Sequence, residues 1–475
     1  MLKRALLSLS ILALTGCDAG SSSITPTEGD GTPRALKGCA VDASISSKVA
    51  PGGYYTSGAT VCTASGSPHL FHGVDRPSLE WDPAGEWNNS SPIPRSDFDA
   101  MASWHANVVR IALNQDFWLS GAALYDPTYQ ATVDRAVKDA EAAGLDVILD
   151  LHWSDRGDLS VPIAGGGQGE VGHSDQHPMA DKNSLQFWQE VATKYKGDGH
   201  VLFELYNEPH DIPWTTWLNG GNVAEYTAVG MQAMYDTVRA TGANNLVIAG
   251  GVGWAFDLSR VASASVQGYN IMYATHPYAR QNSQPQWDQK FGYLAAQDVA
   301  PVIATEFGDN NETCAANWDT QLVQYADARQ ISWTAWAWWA GDCNFPALFS
   351  DWKYTPTEQG AAIKAALLNY PYQPAGVPSP AGGGGGTAQG GASGASGSAA
   401  GGASGSAAGG ASGSAAGGAS GGAGGGASGG AAGTMGGSAG SAGGTSTHAG
   451  AASTAGTNAG TSGSSAGTAG SGGAN

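Results

Sequence analysis

The amino-acid sequence predicts an α/β fold: a (β/α)8 TIM barrel followed by a disordered Gly/Ala/Ser-rich tail. Three observations carry that prediction. Eight short apolar, β-branched runs recur between residues 70 and 338. Stretches of helical period fall between them. Beyond about residue 375 no Asp, Glu, Lys or Arg occurs, so all 21 Lys and Arg and all 40 Asp and Glu lie upstream. Near-continuous apolarity suits strands buried on both faces, as in parallel sheets, and alternation with helices makes a closed barrel the economical architecture.

The chain opens on "MLKRALLSLSILALTGC". Lys3 and Arg4 precede an apolar stretch from Ala5 to Leu14, too short to span a bilayer and right for a signal peptide. The sequence Leu14-Thr15-Gly16-Cys17 resembles a bacterial lipobox, which implies a signal peptide over 1–16 and a lipid on Cys17. Ordinary cleavage and secretion is the alternative. Residues 17–36 then read as a polar tether, and 37–373 as the folded body.

Within the body the apolar runs are Leu70–Val74, Asn107–Leu113, Leu145–Leu151, Val201–Tyr206, Asn245–Gly250, Ile271–Thr275, Pro301–Thr305 and Ile331–Trp338. Helices are expected over Tyr129–Ala143, Leu185–Tyr195, Val223–Thr241, Trp318–Arg329 and Glu358–Leu368. The tail, 374–475, repeats units such as "GGASGSAA" and cannot bury enough apolar surface to offset its ordering entropy.

Five Cys are present. With Cys17 lipidated, four remain as two pairs, one at each end of the body. In an oxidising compartment the simplest of three connectivities is Cys39–Cys62 with Cys314–Cys343. No Cys or His spacing points to a zinc site, and neither a metal nor a cofactor is expected. The net charge of −19 argues against nucleic acid or an anionic membrane surface as partner; contact with a membrane is expected through the lipid alone. The 16 Trp suit flat neutral ligands such as sugars, although many must be core. A monomer at the cell surface or in the periplasm is expected.

In a (β/α)8 barrel the chemistry sits where strands end. The second run carries Arg110, and the third ends Asp150-Leu151-His152-Trp153. The fourth leads into Asn207-Glu208-Pro209, the sixth into His276-Pro277-Tyr278 and the seventh into Thr305-Glu306-Phe307-Gly308; the eighth carries Trp336 and Trp338. Glu208 and Glu306 would therefore face each other across the mouth. Two opposed carboxylates suit glycosidic-bond hydrolysis, one protonated to assist the leaving oxygen and one ionised to attack the anomeric carbon. Arg110 and Tyr278 could hold the nucleophile, His276 could orient the acid, Asn207 could donate to a sugar 2-hydroxyl, and a Trp of the eighth run could give a stacking floor.

The ordered motifs "VRIAL", "ILDLHW", "LYNEP", "HPY" and "TEFG" on this pattern resemble glycoside hydrolase family 5, from about Leu70 to about Ala366. The resemblance implies a retaining double displacement on a β-glycan. By position, Glu208 matches the acid/base and Glu306 the nucleophile. Arg110, His152, Asn207, His276, Tyr278 and Trp336 match the residues around the cleaved bond. Asp75 stands where many relatives carry Asn, which bears on the distal pocket. The resemblance favours an endo-acting β-1,4-glucanase over a mannanase or another β-glycan hydrolase. A non-catalytic polysaccharide-binding lipoprotein would not need both carboxylates.

Structural roles compete at single positions. Arg110 could pair with Glu80 or Asp150, His152 could be a core histidine, and Glu204 reads as structural. The loop 165–181 lacks the Gly-Lys-Ser/Thr ending of a P-loop; it reads as a loop over the cleft rather than a metal site built on His173, Asp175 and His177. Trp153, Trp214 and Trp217 could be sugar platforms or loop anchors.

Overall fold

Thirteen strands are set out along the chain in the computed structural model, which describes Cys39 and residues 43–160, 176–223, 226–279, 283–309, 316–341 and 345–370. Cys17, His173, Asp175, Cys314, Cys343 and the 374–475 segment lie outside the described residues. Three short strands come first: β1 (Tyr54–Ser57), β2 (Thr60–Thr63) and β3 (Pro68–His69), paired antiparallel in that order. The barrel begins with β4 (His72–Arg76), β5 (Val108–Asn114), β6 (Asp146–Trp153) and β7 (Val201–Glu204). A two-stranded hairpin, β8 (Gly221–Val223) and β9 (Tyr226–Ala228), interrupts it. β10 (Val247–Gly250), β11 (Ile271–Ala274), β12 (Val302–Ala304) and β13 (Ser332–Ala335) then close the ring. The eight barrel strands pair in parallel, β10 returning to β7, so the expected (β/α)8 barrel is present and all eight runs form its strands.

Helices α1 (Arg95–Ser103), α2 (Tyr129–Ala142), α3 (Lys182–Tyr195), α4 (Trp214–Asn219), α5 (Met231–Ala240), α6 (Asn317–Arg329) and α7 (Glu358–Asn369) pack outside. α3 starts three residues before the apolar periodicity does. The Asp181 carboxylate accepts the Asn183 N–H, and Ser184 Oγ accepts the Asp181 N–H, which satisfies donors that a helix start leaves open. Among the described residues no helix is long and apolar enough to cross a membrane.

The helix expected over Val223–Thr241 is half right. Its second half is α5, but its first half is the β8–β9 hairpin. Gly220 and Gly221 hold φ of +78° and +145°, outside helical space. Tyr226 Oη accepts the Met179 N–H, and Val229 N–H donates to Ala180 O, which ties the hairpin to the approach of α3.

Side chains alternate across each barrel strand. Val109, Val147, Phe203, Val247, Tyr273 and Val302 point outward into the core beneath the helices. Val108, Ile148, Leu202, Ile248, Met272 and Ile303 point inward and form an apolar plug with Phe71. Tyr54 and Val61 of the small antiparallel sheet join that plug, and Tyr54 Oη donates to Asp146 Oδ2 at 2.6 Å. The sheet therefore closes the barrel at the end where strands begin. Cys39 is bonded to Cys62 on β2, which pins the start of the described chain there; this is the first of the two expected disulfides.

Gly73 on β4 faces the barrel axis. A Cβ at that position would fall 1.9 Å from Val108 O of the neighbouring strand. Gly73→Ala is expected to cost about 2–3 kcal/mol through overpacking, with an unchanged fold. Chemical denaturation checks this, and wild-type stability in the variant would show that β4 and β5 are not so close.

Candidate active site

Two residues further along the inward face, the barrel changes character. Beyond Val108 comes Arg110; beyond Ile148, Asp150; beyond Leu202, Glu204; beyond Ile303, Thr305. Asp75 of β4 lies in register with Arg110, and Asp150 with Glu204. A polar layer thus sits on the apolar plug.

Arg110 is fully buried at its centre. Nε donates to Glu204 Oε2 at 2.6 Å, Nη1 to Glu306 Oε2 at 3.2 Å, and Nη2 to Asn207 Oδ1 at 2.6 Å. Asp150 Oδ2 stands 3.0 Å from Nη2, and Asp75 Oδ2 lies 4.0 Å from Nη1. The expected Asp150 pairing and the structural reading of Glu204 both hold, together with a contact to Glu306. Burial opposes ionisation of Glu204, but the Arg110 guanidinium and His276 together outweigh it and hold that carboxyl down at about 2.

Glu306 follows β12 and is 6% exposed. Its Oε1 accepts the Tyr278 hydroxyl at 2.5 Å. Burial first, then the Glu306 charge, pushes the Tyr278 phenol well above its ordinary value, so Tyr278 stays a donor. Glu208 follows β7, and its Oε1 lies 3.2 Å from His276 Nδ1. Glu208, His276 and Glu306 each offer one atom within 4.8 Å of the others. That spacing would also suit a cation, but Arg110 and His276 already bring positive charge there.

His276 is completely enclosed. Burial pulls its imidazolium down, but Glu306, Glu204 and Glu208 around it outweigh burial and push it up to about 10. Its Nε2 reaches Thr305 Oγ1 at 3.0 Å, and that hydroxyl donates to Glu204 Oε1 at 2.7 Å. His152 behaves oppositely: burial, then Arg110, lowers it to about 4. As a neutral ring it donates from Nδ1 to Asp150 Oδ2 at 2.7 Å, a tautomer inferred from the carboxylate partner. Nε2 is left facing the Asn207 and Gln176 amides at 3.4 and 3.2 Å.

The Trp-rich eighth run separates cleanly. Trp333 stacks on His72, and Trp338 is core against Trp104. Trp336 lies parallel to His152, with ring centres 5.9 Å apart, and lines the site. Trp217 is an anchor, fully buried with Nε1 on Gly250 O, and Trp214 packs on it edge-on. Trp153 stays partly exposed, and His177 is buried against Tyr226.

Sequence reading passed over Trp254. It follows β10, is 46% exposed and lies flat on His210 at 3.7 Å. Its N–H donates to Pro209 O, beside Glu208. Gly253, Trp254 and Ala255 all take positive φ, so this exposed ring is held by an unusual backbone turn. A Trp embedded in "GGVGWAFD" directly after a strand was the available signal.

An enclosed acid pair, a buried arginine and flat aromatic faces at the mouth of a (β/α)8 barrel define a glycosidase-type site. The chain belongs to the cellulase family, glycosyl hydrolase family 5, whose family model matches residues 62–342. It is 24% identical over 333 residues to an endoglucanase of Paenibacillus polymyxa, covering 60% of this chain and 79% of that protein. It is 26% identical over 292 residues to an endoglucanase of Clostridium saccharobutylicum, covering 59% of this chain but only 55% of that longer protein. In fold it matches a β-glucanase from Saccharophagus degradans, determined in complex with cellotetraose, with a TM-score of 0.52 at 24% identity, covering 66% of this chain and 93% of the other.

The buried ionisable groups predict the pH dependence of stability. Burial holds His69 and His152 near 4 and His72 near 3, so stability falls as pH drops below about 6.5, where the unfolded imidazoles take up protons. Burial raises Glu80, Asp116 and Asp319 to about 8, so stability also falls as pH rises from about 4 to 8, while the raised His276 adds a loss between about 6.5 and 10. Below about 6.5 the histidine and carboxyl effects oppose each other, and above it only losses remain, so the melting temperature should fall as pH rises from about 6.5 to 9, as calorimetry across pH would show. A plateau up to pH 9 would contradict these shifts.

Proposed function

We propose that this protein is a retaining, endo-acting hydrolase of β-1,4-glucan working by a two-Glu double displacement. The carrying observation is the spacing of its two mouth carboxylates: one oxygen of each lies within 4.8 Å. Retaining glycosidases hold the pair about 5–5.5 Å apart, whereas inverting enzymes leave about 6.5–9.5 Å for a water between them.

Glu306 attacks the anomeric carbon while Glu208 gives its proton to the departing glycosidic oxygen. Glu208 then takes a proton from a water that attacks the same carbon, and Glu306 leaves as carboxylate. Arg110 Nη1 and the Tyr278 hydroxyl both donate to Glu306 and aim it. His276 fixes the Glu208 rotamer from Nδ1. Asn207 spends its Oδ1 on Arg110 and turns its amide nitrogen toward His152 Nε2, which leaves the second N–H of that nitrogen for a sugar hydroxyl. The parallel His152 and Trp336 rings frame the sugar being cleaved, and Trp254 offers a face to the leaving side, next to Glu208.

The names of the relatives support a glucan substrate, and they favour it over mannan; the two are separated by how the site reads the 2-hydroxyl. The apolar leader, Cys17 after Leu-Thr-Gly, and the Cys39–Cys62 disulfide support export and anchoring through an N-terminal lipid.

Reducing-sugar release should be strong on β-glucan and carboxymethylcellulose and weak on mannan and xylan; activity mainly on mannan would move the substrate assignment. Glu208→Ala should lose about 10²–10⁴-fold on polysaccharide but little in the first step on a dinitrophenyl glycoside, which needs no acid, and Glu306→Ala should lose activity on both. Proton NMR of the first product should show the β-anomer, since inversion is incompatible with the short carboxylate spacing. In the producing bacterium, Cys17→Ala should abolish labelling by radioactive palmitate and release the protein from membranes; unchanged fractionation would exclude the lipid.

A further inference from the structure

Asp75 is the one acid of the polar layer that no side-chain hydrogen bond holds among the described residues. It is 1% exposed, and among the described residues neither carboxylate oxygen has a hydrogen-bond partner. Its main-chain oxygen accepts the Trp338 N–H, which fixes the backbone. The charged and titratable groups facing it are Arg110 from β5, Glu204 from β7, His276 after β11 and Glu306 after β12. Its nearest cation atom is Arg110 Nη1, at 4.0 Å. The same nitrogen holds Glu306 Oε2 at 3.2 Å. Asp75 and Glu306 therefore face the same guanidinium nitrogen, and an ionised Asp75 would share its positive charge with Glu306.

We propose that Asp75 is a positioning residue that carries a proton during turnover and, while it does, leaves the positive charge of Arg110 to Glu306. The inference rests on the assignment of Glu306 as nucleophile. Charge counting leads to it. Asp75, Asp150, Glu204, Glu208 and Glu306 gather around two cations, Arg110 and His276, so several of the five must hold protons in so dry a place. Glu204 is bonded to Arg110 and Thr305, Glu306 to Arg110 and Tyr278, and Asp150 to Arg110 and His152. Asp75 has no such bond, so a proton costs it no partner. Burial, only partly offset by Arg110, pushes its carboxyl well above the usual range. When Asp75 releases that proton to solvent, its new charge shares the Arg110 cation with Glu306 and adds negative charge beside the nucleophile. The hold on Glu306 weakens, and the rate declines without any change in Glu208.

The test uses the full chain and 2,4-dinitrophenyl β-cellobioside, whose leaving group needs no proton from Glu208, so the alkaline limb of the rate reports the Glu306 side. Asp75→Asn keeps the shape and cannot ionise. It should hydrolyse within about threefold of wild type near pH 6 and at least about fivefold faster than wild type near pH 9. Infrared spectroscopy should show a protonated-carboxyl stretch in wild type near pH 6 that is missing from the variant, and in wild type that band should fade over the range where the rate declines. A folded Asp75→Asn variant slowed more than about tenfold near pH 6 would mean that the ionised form is needed, and would overturn the proposal. Parallel pH profiles, or no band assigned to Asp75, would overturn it as well. Failure of the wild type to cleave the cellobioside would count against the hydrolase assignment instead, while the infrared band would still decide whether Asp75 is protonated.

Discussion

One buried guanidinium organises this barrel. Arg110 comes from β5 and contacts carboxylates contributed by β6 and β7 and by the segment after β12, together with the Asn207 amide. A charge taken out of water at this depth costs several kcal/mol even after relaxation. It is tolerated because three of its nitrogens are used, each on an oxygen of fixed position. The same geometry makes it sensitive: a carboxylate removed from its ring would leave positive charge stranded.

The apolar plug below it makes that arrangement possible. Ile148, Leu202, Ile248, Met272 and Ile303 exclude water from underneath, with Tyr54 and Val61 sealing the opening where the strands begin. Low polarity strengthens every contact of Arg110 and separates the two histidines of the site. His276, surrounded by carboxylates, keeps its proton, while His152, beside the guanidinium, gives its proton up. Two identical side chains in one site thus do opposite work, one as a charged donor and one as a neutral bridge.

Much of this was legible in the sequence, and the reason is the period of the strands. A residue two places beyond an inward Ile or Leu must also point inward, so "VVRIA", "VILDL" and "VLFEL" announce Arg110, Asp150 and Glu204 on one layer. The residues after the strand ends follow from where barrels put loops. What escaped was set by turns and by long-range contacts. The β8–β9 hairpin has helix-compatible residues, and it was decided by two glycines and by a bond from Tyr226 to a segment far away in sequence. Trp254 was hidden because exposure is not a sequence property; a Trp in a glycine-rich turn looks the same whether it faces core or solvent. The small antiparallel sheet is too short to announce itself, its strands being two to four residues long.

The sealed end of the barrel has a further meaning. The described chain enters at Cys39, fastened to that sheet, and leaves at Tyr370, whose ring stands edge-on to His72 at the start of β4. Entry and exit therefore share one pole, and the cleft occupies the other. Both ends of the described body are thus kept clear of the ring around Arg110, so a change in the body at either end need not disturb the arrangement of its catalytic-face side chains.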